Sequence, residues 1–175
     1  MTRKHARGRA HHDRSDQIGE HPSGDAGQLV FALLFFAVWG MDTFLWKGTT
    51  MLNAYVPIWV RVPLATLLLV ASGYLAAKGL SIVFGETREQ PSVIRKSVFG
   101  VVRHPVYLSE VVLYLGFLVI SLSLAAAVVW AAAFVFLHMI SRYEERLLLQ
   151  RFGDDYARYM LEVPMWVPRL WKRRA

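Results

Sequence analysis

The chain has 175 residues, 55% of them hydrophobic and 19% charged, with no cysteine and a formal net charge of +7. Mean hydropathy is +0.33, although the first 27 residues hold almost nothing apolar, so the apolar residues are bunched rather than spread in stripes. This excludes a disulfide-stapled secreted domain, a disordered chain and an ordinary soluble globule. It implies an all-α, polytopic membrane protein. Without cysteine there is neither a thiol nucleophile nor a Cys-ligated zinc site.

Residues 1–27 read as a disordered, polar cytosolic tail. The charged lead-in is too long for a cleavable signal peptide. His5, His11, His12 and His21 follow no helix or strand period, so no metal site is expected. Residues 28–45, broken only by Asp42, read as a first membrane helix. Residues 61–84 read as a second, with Lys78 near enough to the following loop to extend its amine to the interface. Gly40, Ala71, Ser72, Gly73, Ala76 and Ala77 on these two helices permit close packing.

Residues 107–140 form a third apolar stretch of 34 residues. As one helix it would measure about 51 Å, far beyond a hydrocarbon core of about 30 Å. It reads instead as two helices meeting near Ser121-Leu122-Ser123 in a tight hairpin, making about four transmembrane helices. The last of these continues out of the membrane as far as Gly153, and a short cytosolic C-terminal helix follows.

Charge orients the chain. Of the 20 Lys and Arg, five precede residue 28, four lie in 85–105 and eight follow residue 140. Lys47 and Arg61 alone fall in the first connection and none in the second. Four crossings put every basic segment on one side, so both termini are expected in the cytoplasm. The basic WKRRA end then serves attraction to anionic lipid rather than to nucleic acid.

Two polar clusters flank the last helix pair on that side. The first is Arg103-His104-Pro105-Val106-Tyr107. Pro105 suits the first turn of a helix, His104 sits at its cap, and the exposed N–H groups there favour an anion. An interfacial anchor would use the same residue types. The second is Glu144-Glu145, which could equally be solvated acids paired with Arg146 or Arg151. Because a hairpin brings its ends together, the two clusters should meet in one interfacial pocket. Glu110, one turn after Tyr107, adds an ionisable group that should face the bundle.

RHPVY, the apolar stretch, EE, then FGDDYARYM and VPRLW together resemble the isoprenylcysteine carboxyl methyltransferase and phospholipid methyltransferase superfamily. PSVIRKSVFGVV is similar to the lead into its RHPxY motif. The resemblance runs from residue 91 to 171; earlier residues carry no pattern of the family. There is also no GxG motif of the phosphatidylethanolamine methyltransferase kind, which leaves the branch open. The resemblance implies an integral membrane enzyme using S-adenosyl-L-methionine on a lipophilic acceptor, an isoprenylcysteine carboxylate or a phospholipid. With the apolar runs already read, the chain divides into the tail, two N-terminal helices (28–84) and a part, 85–175, that the resemblance implies is cofactor-binding.

By the same resemblance, Arg103, His104, Tyr107, Glu144, Glu145, Tyr156 and Tyr159 would bind the cofactor, with Arg103 and His104 on its carboxylate and the acids on its ribose or ammonium. Glu110 and Glu145 are the candidates for proton transfer. Two alternatives use the same sequence: an NADPH-dependent membrane reductase of related architecture, and a non-catalytic four-helix membrane protein. Finding His104 and Glu144 far apart, with the acids fully solvated, would favour the last.

Overall fold

The computed structural model describes residues 22–85 and 92–169, with side chains from residue 26. Every regular element there is helical. Helix α1 (Pro22–Gly40) runs into a π-helical turn, Met41–Trp46. Helix α2 is Ile58–Gly85, α3 Pro105–Ser121, α4 Leu124–Phe152 and α5 Asp154–Glu162. The start of α1 lies inside the stretch expected to be polar tail. Residues 1–21 with the four tail histidines, and the WKRRA end, lie outside the described residues.

Three stretches are long and apolar enough to cross a membrane: Ala26–Trp46, Ile58–Gly85 and Leu124–Phe152. Their outward faces carry exposed Leu, Val, Phe and Trp side chains, among them Leu33, Trp59, Leu67 and Val128. The break expected in the third apolar stretch falls at Leu122 and Ser123. Without a glycine there, Leu122 itself adopts the left-handed conformation, with φ 48°, at a cost of about 1–2 kcal/mol. Ser123 then caps α4 by accepting from Ala126 N at 3.1 Å.

Helix α3 has only 17 residues, about 26 Å of rise, somewhat less than the hydrocarbon core. It is the inner helix, with α1, α2 and α4 all packed against it. Trp39 of α1 donates its indole N–H to Phe117 O at 2.9 Å, and Trp130 of α4 donates to Val111 O at 3.0 Å. Phe35 of α1 stacks on Tyr114 with centroids 4.5 Å apart.

The closest packing is between α2 and α3, and small residues make it possible. Ala65, Ser72 and Gly79 are buried at seven-residue spacing on α2, opposite Ser109 and Gly116 of α3. Ser72 Oγ donates to Ser109 O at 2.7 Å. A Cβ at Gly79 would come within 2.8 Å of Val106 Cγ2, whereas one at Gly40 or Gly73 would meet nothing within 4 Å. Of the small residues singled out by composition, Ser72 is used in this interface, and Gly40 and Gly73 are not in close contact.

A polar clamp holds the helix ends remote from the RHPVY segment. Asp42 in the π turn is 3% exposed. It accepts from Thr49 N at 3.0 Å, Thr49 Oγ1 at 2.5 Å and Ser123 Oγ at 2.5 Å. An acid is thereby placed at the N-terminus of α4. Arg61 donates to Asn53 and to the Ile120 carbonyl at the C-terminus of α3. Each charge sits at the helix end whose dipole favours it.

Two outcomes follow for the folded state in detergent. Asp42→Ala strips charged-acceptor hydrogen bonds from both Thr49 and Ser123 and should destabilise by about 2 kcal/mol; Asp42→Asn, which keeps an acceptor oxygen, should cost less than half of that in the same thermal unfolding assay. Gly79→Leu should cost about 1–3 kcal/mol by overpacking α2 against α3, while Gly73→Leu should leave the melting temperature unchanged.

Candidate active site

The site is built where the start of α3 meets the far part of α4. Counting from Leu124, Glu144 lies about 30 Å along the helix, one hydrocarbon thickness away. Pro105 occupies the first position of α3, and His104 precedes it with φ −121° and ψ 64°. The His104 side chain does not cap the helix. It is turned toward the acids instead.

Arg103, His104 and Tyr107 all reach Glu144 or Glu145. Arg103 Nε donates to Glu145 Oε1 at 2.6 Å. His104 Nε2 lies 3.4 Å from the same oxygen, and its Nδ1 lies 3.6 Å from Glu144 Oε2. Tyr107 OH donates to Glu144 Oε1. The His104 and Tyr107 rings stack at 5.7 Å and 6°. The side chains of Arg103 and Glu145 are 9% and 3% exposed, so this pair is desolvated and depends on its geometry. His104 and Glu144 thus lie close together, and Glu145 is buried rather than solvated.

The Arg103 guanidinium has other partners besides Glu145. Its Nη1 donates to Met160 O at 3.0 Å and Val163 O at 2.6 Å, and its backbone N–H donates to Pro164 O at 3.0 Å. These bonds fasten the end of α5 and the segment after it over the site. Among the described residues, Arg103 Nη2 and Glu145 Oε2 carry no hydrogen bond. One donor and one acceptor are therefore uncommitted at the centre of the cluster.

Helix α5 can fold back because Gly153 has φ 52° and ψ −128°, a conformation essentially confined to glycine. Its Tyr156 and Tyr159 are both 3% exposed and pack with Val163 against Val93, Leu148 and Phe152. Tyr159 OH donates to Phe99 O at 2.7 Å, and Arg95 ties α5 down through Asp155 at 2.7 Å and Glu162 at 3.1 Å. Burial pushes the Tyr159 hydroxyl up to about 12, against the opposing pull of Arg103 and Arg95. Burial, then the Glu145 charge, also raises that of Tyr156. Both therefore remain O–H donors at physiological pH. The Tyr156 hydroxyl has no hydrogen bond among the described residues.

Glu110 stands apart from this group. Its Oε1 accepts from Tyr114 OH at 2.5 Å, and Tyr114 is the residue stacked on α1. Two aromatic contributors escaped the sequence reading. Trp166, in the segment after α5, lies 6.2 Å from the His104 ring and donates to His138 Nδ1 at 3.1 Å. His138 carried a usable signal, an ionisable residue within an apolar helix. Trp166 carried none, since an irregular segment has no period to read.

The donor set suits a zwitterionic ligand with an aromatic part: carboxylates for N–H and O–H groups, a guanidinium for an anion, and ring faces for stacking. No group of three or more metal-ligating side chains occurs among the described residues. A family profile described as phospholipid methyltransferase matches residues 62–155. The match begins well before the segment in which the motifs were traced and takes in nearly all of α2, the helix most closely packed on α3. It stops just before Tyr156 and Tyr159. No curated protein and no solved structure matches. With more than half of its length matched, the chain belongs to the phospholipid methyltransferase family and is a methyltransferase of the membrane.

Proposed function

We propose that the protein transfers a methyl group from S-adenosyl-L-methionine to the amine of a phospholipid at the inner face of the membrane. The observation that carries this reading is the convergence of Arg103, His104 and Tyr107 with Glu144 and Glu145 beside apolar helices. In this arrangement α3 is a fourth crossing. It forms a hairpin with α4, and both termini and α5 are cytoplasmic. The excess of Lys and Arg in 85–105 and after residue 140 supports that orientation.

The cofactor, when bound, supplies an already activated methyl group on a sulfonium. The protein's task is then to position and to exclude water. Glu145 Oε2 and Glu144 accept hydrogen bonds from ribose hydroxyls or the ammonium group. Arg103 Nη2 and the cap at His104 hold the carboxylate. Tyr107 and His104 offer a stacked ring face. Tyr156 donates its free hydroxyl, and Tyr159 keeps α5 closed through Phe99. An amine acceptor releases a proton; of the two expected acids Glu145 lies in the cluster and Glu110 does not, and a proton taken by Glu145 weakens its ion pair with Arg103. An isoprenylcysteine carboxylate would need no base. The family match favours the phospholipid.

Glu145→Gln keeps the shape and removes the charge. It should weaken binding of S-adenosylhomocysteine to the purified protein by about tenfold or more in a calorimetric titration, the scale of one hydrogen bond to a charged group. Parental affinity in that variant, or saturable binding of NADPH in place of S-adenosylhomocysteine, would overturn the reading. Arg103→Met leaves Glu145 buried without its cation and should destabilise by about 3 kcal/mol. It should also speed tryptic cleavage at Arg158, because α5 loses its tie to Arg103.

A further inference from the structure

Six residues before Glu144, and about 9 Å deeper along α4 by helical rise, His138 presents an exposed imidazole within the apolar run. Such a group is costly against hydrocarbon unless it meets a polar partner. Trp166 decides which ring nitrogen carries the proton. Its indole N–H donates to His138 Nδ1 at 3.1 Å, so the Nδ1 lone pair is occupied and the ring proton resides on Nε2. The ring therefore offers an N–H donor. Among the described residues Nε2 has no hydrogen-bond partner.

Trp166 also links this donor to the cluster. Its ring lies 5.5 Å from Phe134, one turn before His138, and 6.2 Å from His104. An aromatic wall formed by Phe134, Trp166 and His104 thus leads from the membrane-facing side of α4 to the glutamates. At one end is an outward N–H, and at the other are carboxylates suited to a cation. Hydrocarbon tails have no acceptor to give such a donor. The strong acceptor on a membrane lipid close to its amine is the phosphodiester oxyanion.

We propose that His138, oriented by Trp166, is the headgroup-recognition residue of the acceptor site. Its Nε2–H donates to a phosphate oxygen, so that the amine of the same lipid points along the aromatic wall toward Glu145. The role of the bound lipid as methyl acceptor rests on the function proposed above; the phosphate contact itself does not. His138 is a specificity-determining residue here.

The test uses the full chain in detergent micelles and three probes followed by tryptophan fluorescence. These are dihexanoylphosphatidylethanolamine, hexadecylamine (chain and amine without phosphate) and inorganic phosphate. His138→Phe keeps the ring and removes the donor. It should weaken the phospholipid by about tenfold or more, the scale of one hydrogen bond to a charged oxygen, and leave hexadecylamine and S-adenosylhomocysteine unchanged. His138→Gln, whose amide still donates, should recover most of the loss. Inorganic phosphate should not compete if the site reads a lipid headgroup; saturable competition lost in His138→Phe would assign it to free anions instead and overturn the lipid role.

Absence of saturable phospholipid binding by the parent, equal affinities for parent and His138→Phe, or an equal loss for hexadecylamine would each sink the proposal. If His138→Phe loses the phospholipid while the parent ignores S-adenosylhomocysteine, the headgroup site stands and the methyl-transfer reading falls. The reverse pattern separates them the other way.

Discussion

The ion pair between Arg103 and Glu145 is the interaction on which the site depends. Two charges taken out of water are costly, and only short, well-aligned contacts offset that cost. Here Arg103 reaches Glu145 at 2.6 Å while the same guanidinium holds two carbonyls from the end of α5. One side chain therefore joins the start of α3, the outer part of α4 and the segment that covers both. His104, beside it, approaches both acids. Remove the cation, and the remaining groups lose both their orientation and their cover.

That corner can be placed accurately because the opposite ends of α3 and α4 are held as well. Asp42 gathers Thr49 and Ser123 at the start of α4, and Arg61 holds the end of α3 through Ile120. With its termini fixed and small residues admitting α2 along its length, α3 behaves as a rigid inner rod. Its shortness compared with its neighbours is consistent with this.

Much of this was legible in the sequence because membrane helices advertise themselves by composition. The three long apolar helices, the break at Leu122 and Ser123, and the meeting of RHPVY with Glu144 and Glu145 follow from apolar run lengths and the position of the break. What escaped depends on contacts between segments far apart in the chain. Asp42 read as an interruption, yet it is an anchor for residues about eighty positions later. Gly73 and Gly40 looked like packing sites, but Gly79 makes the close approach, because the face a helix presents is set by its partner. Glu110 shares the helix of the RHPVY cluster but turns to Tyr114. Trp166 joins the site only because Gly153 reverses the chain.

The central claim is that this buried corner presents a methyl donor to a phospholipid amine. Incubating the purified full-length protein in phosphatidylethanolamine nanodiscs with methyl-labelled S-adenosyl-L-methionine tests it most directly. The account predicts label in the N-methylated headgroup, with nothing transferred in discs of phosphatidylglycerol, which has no amine. Label confined to protein or water, or equal labelling of both lipids, would contradict it.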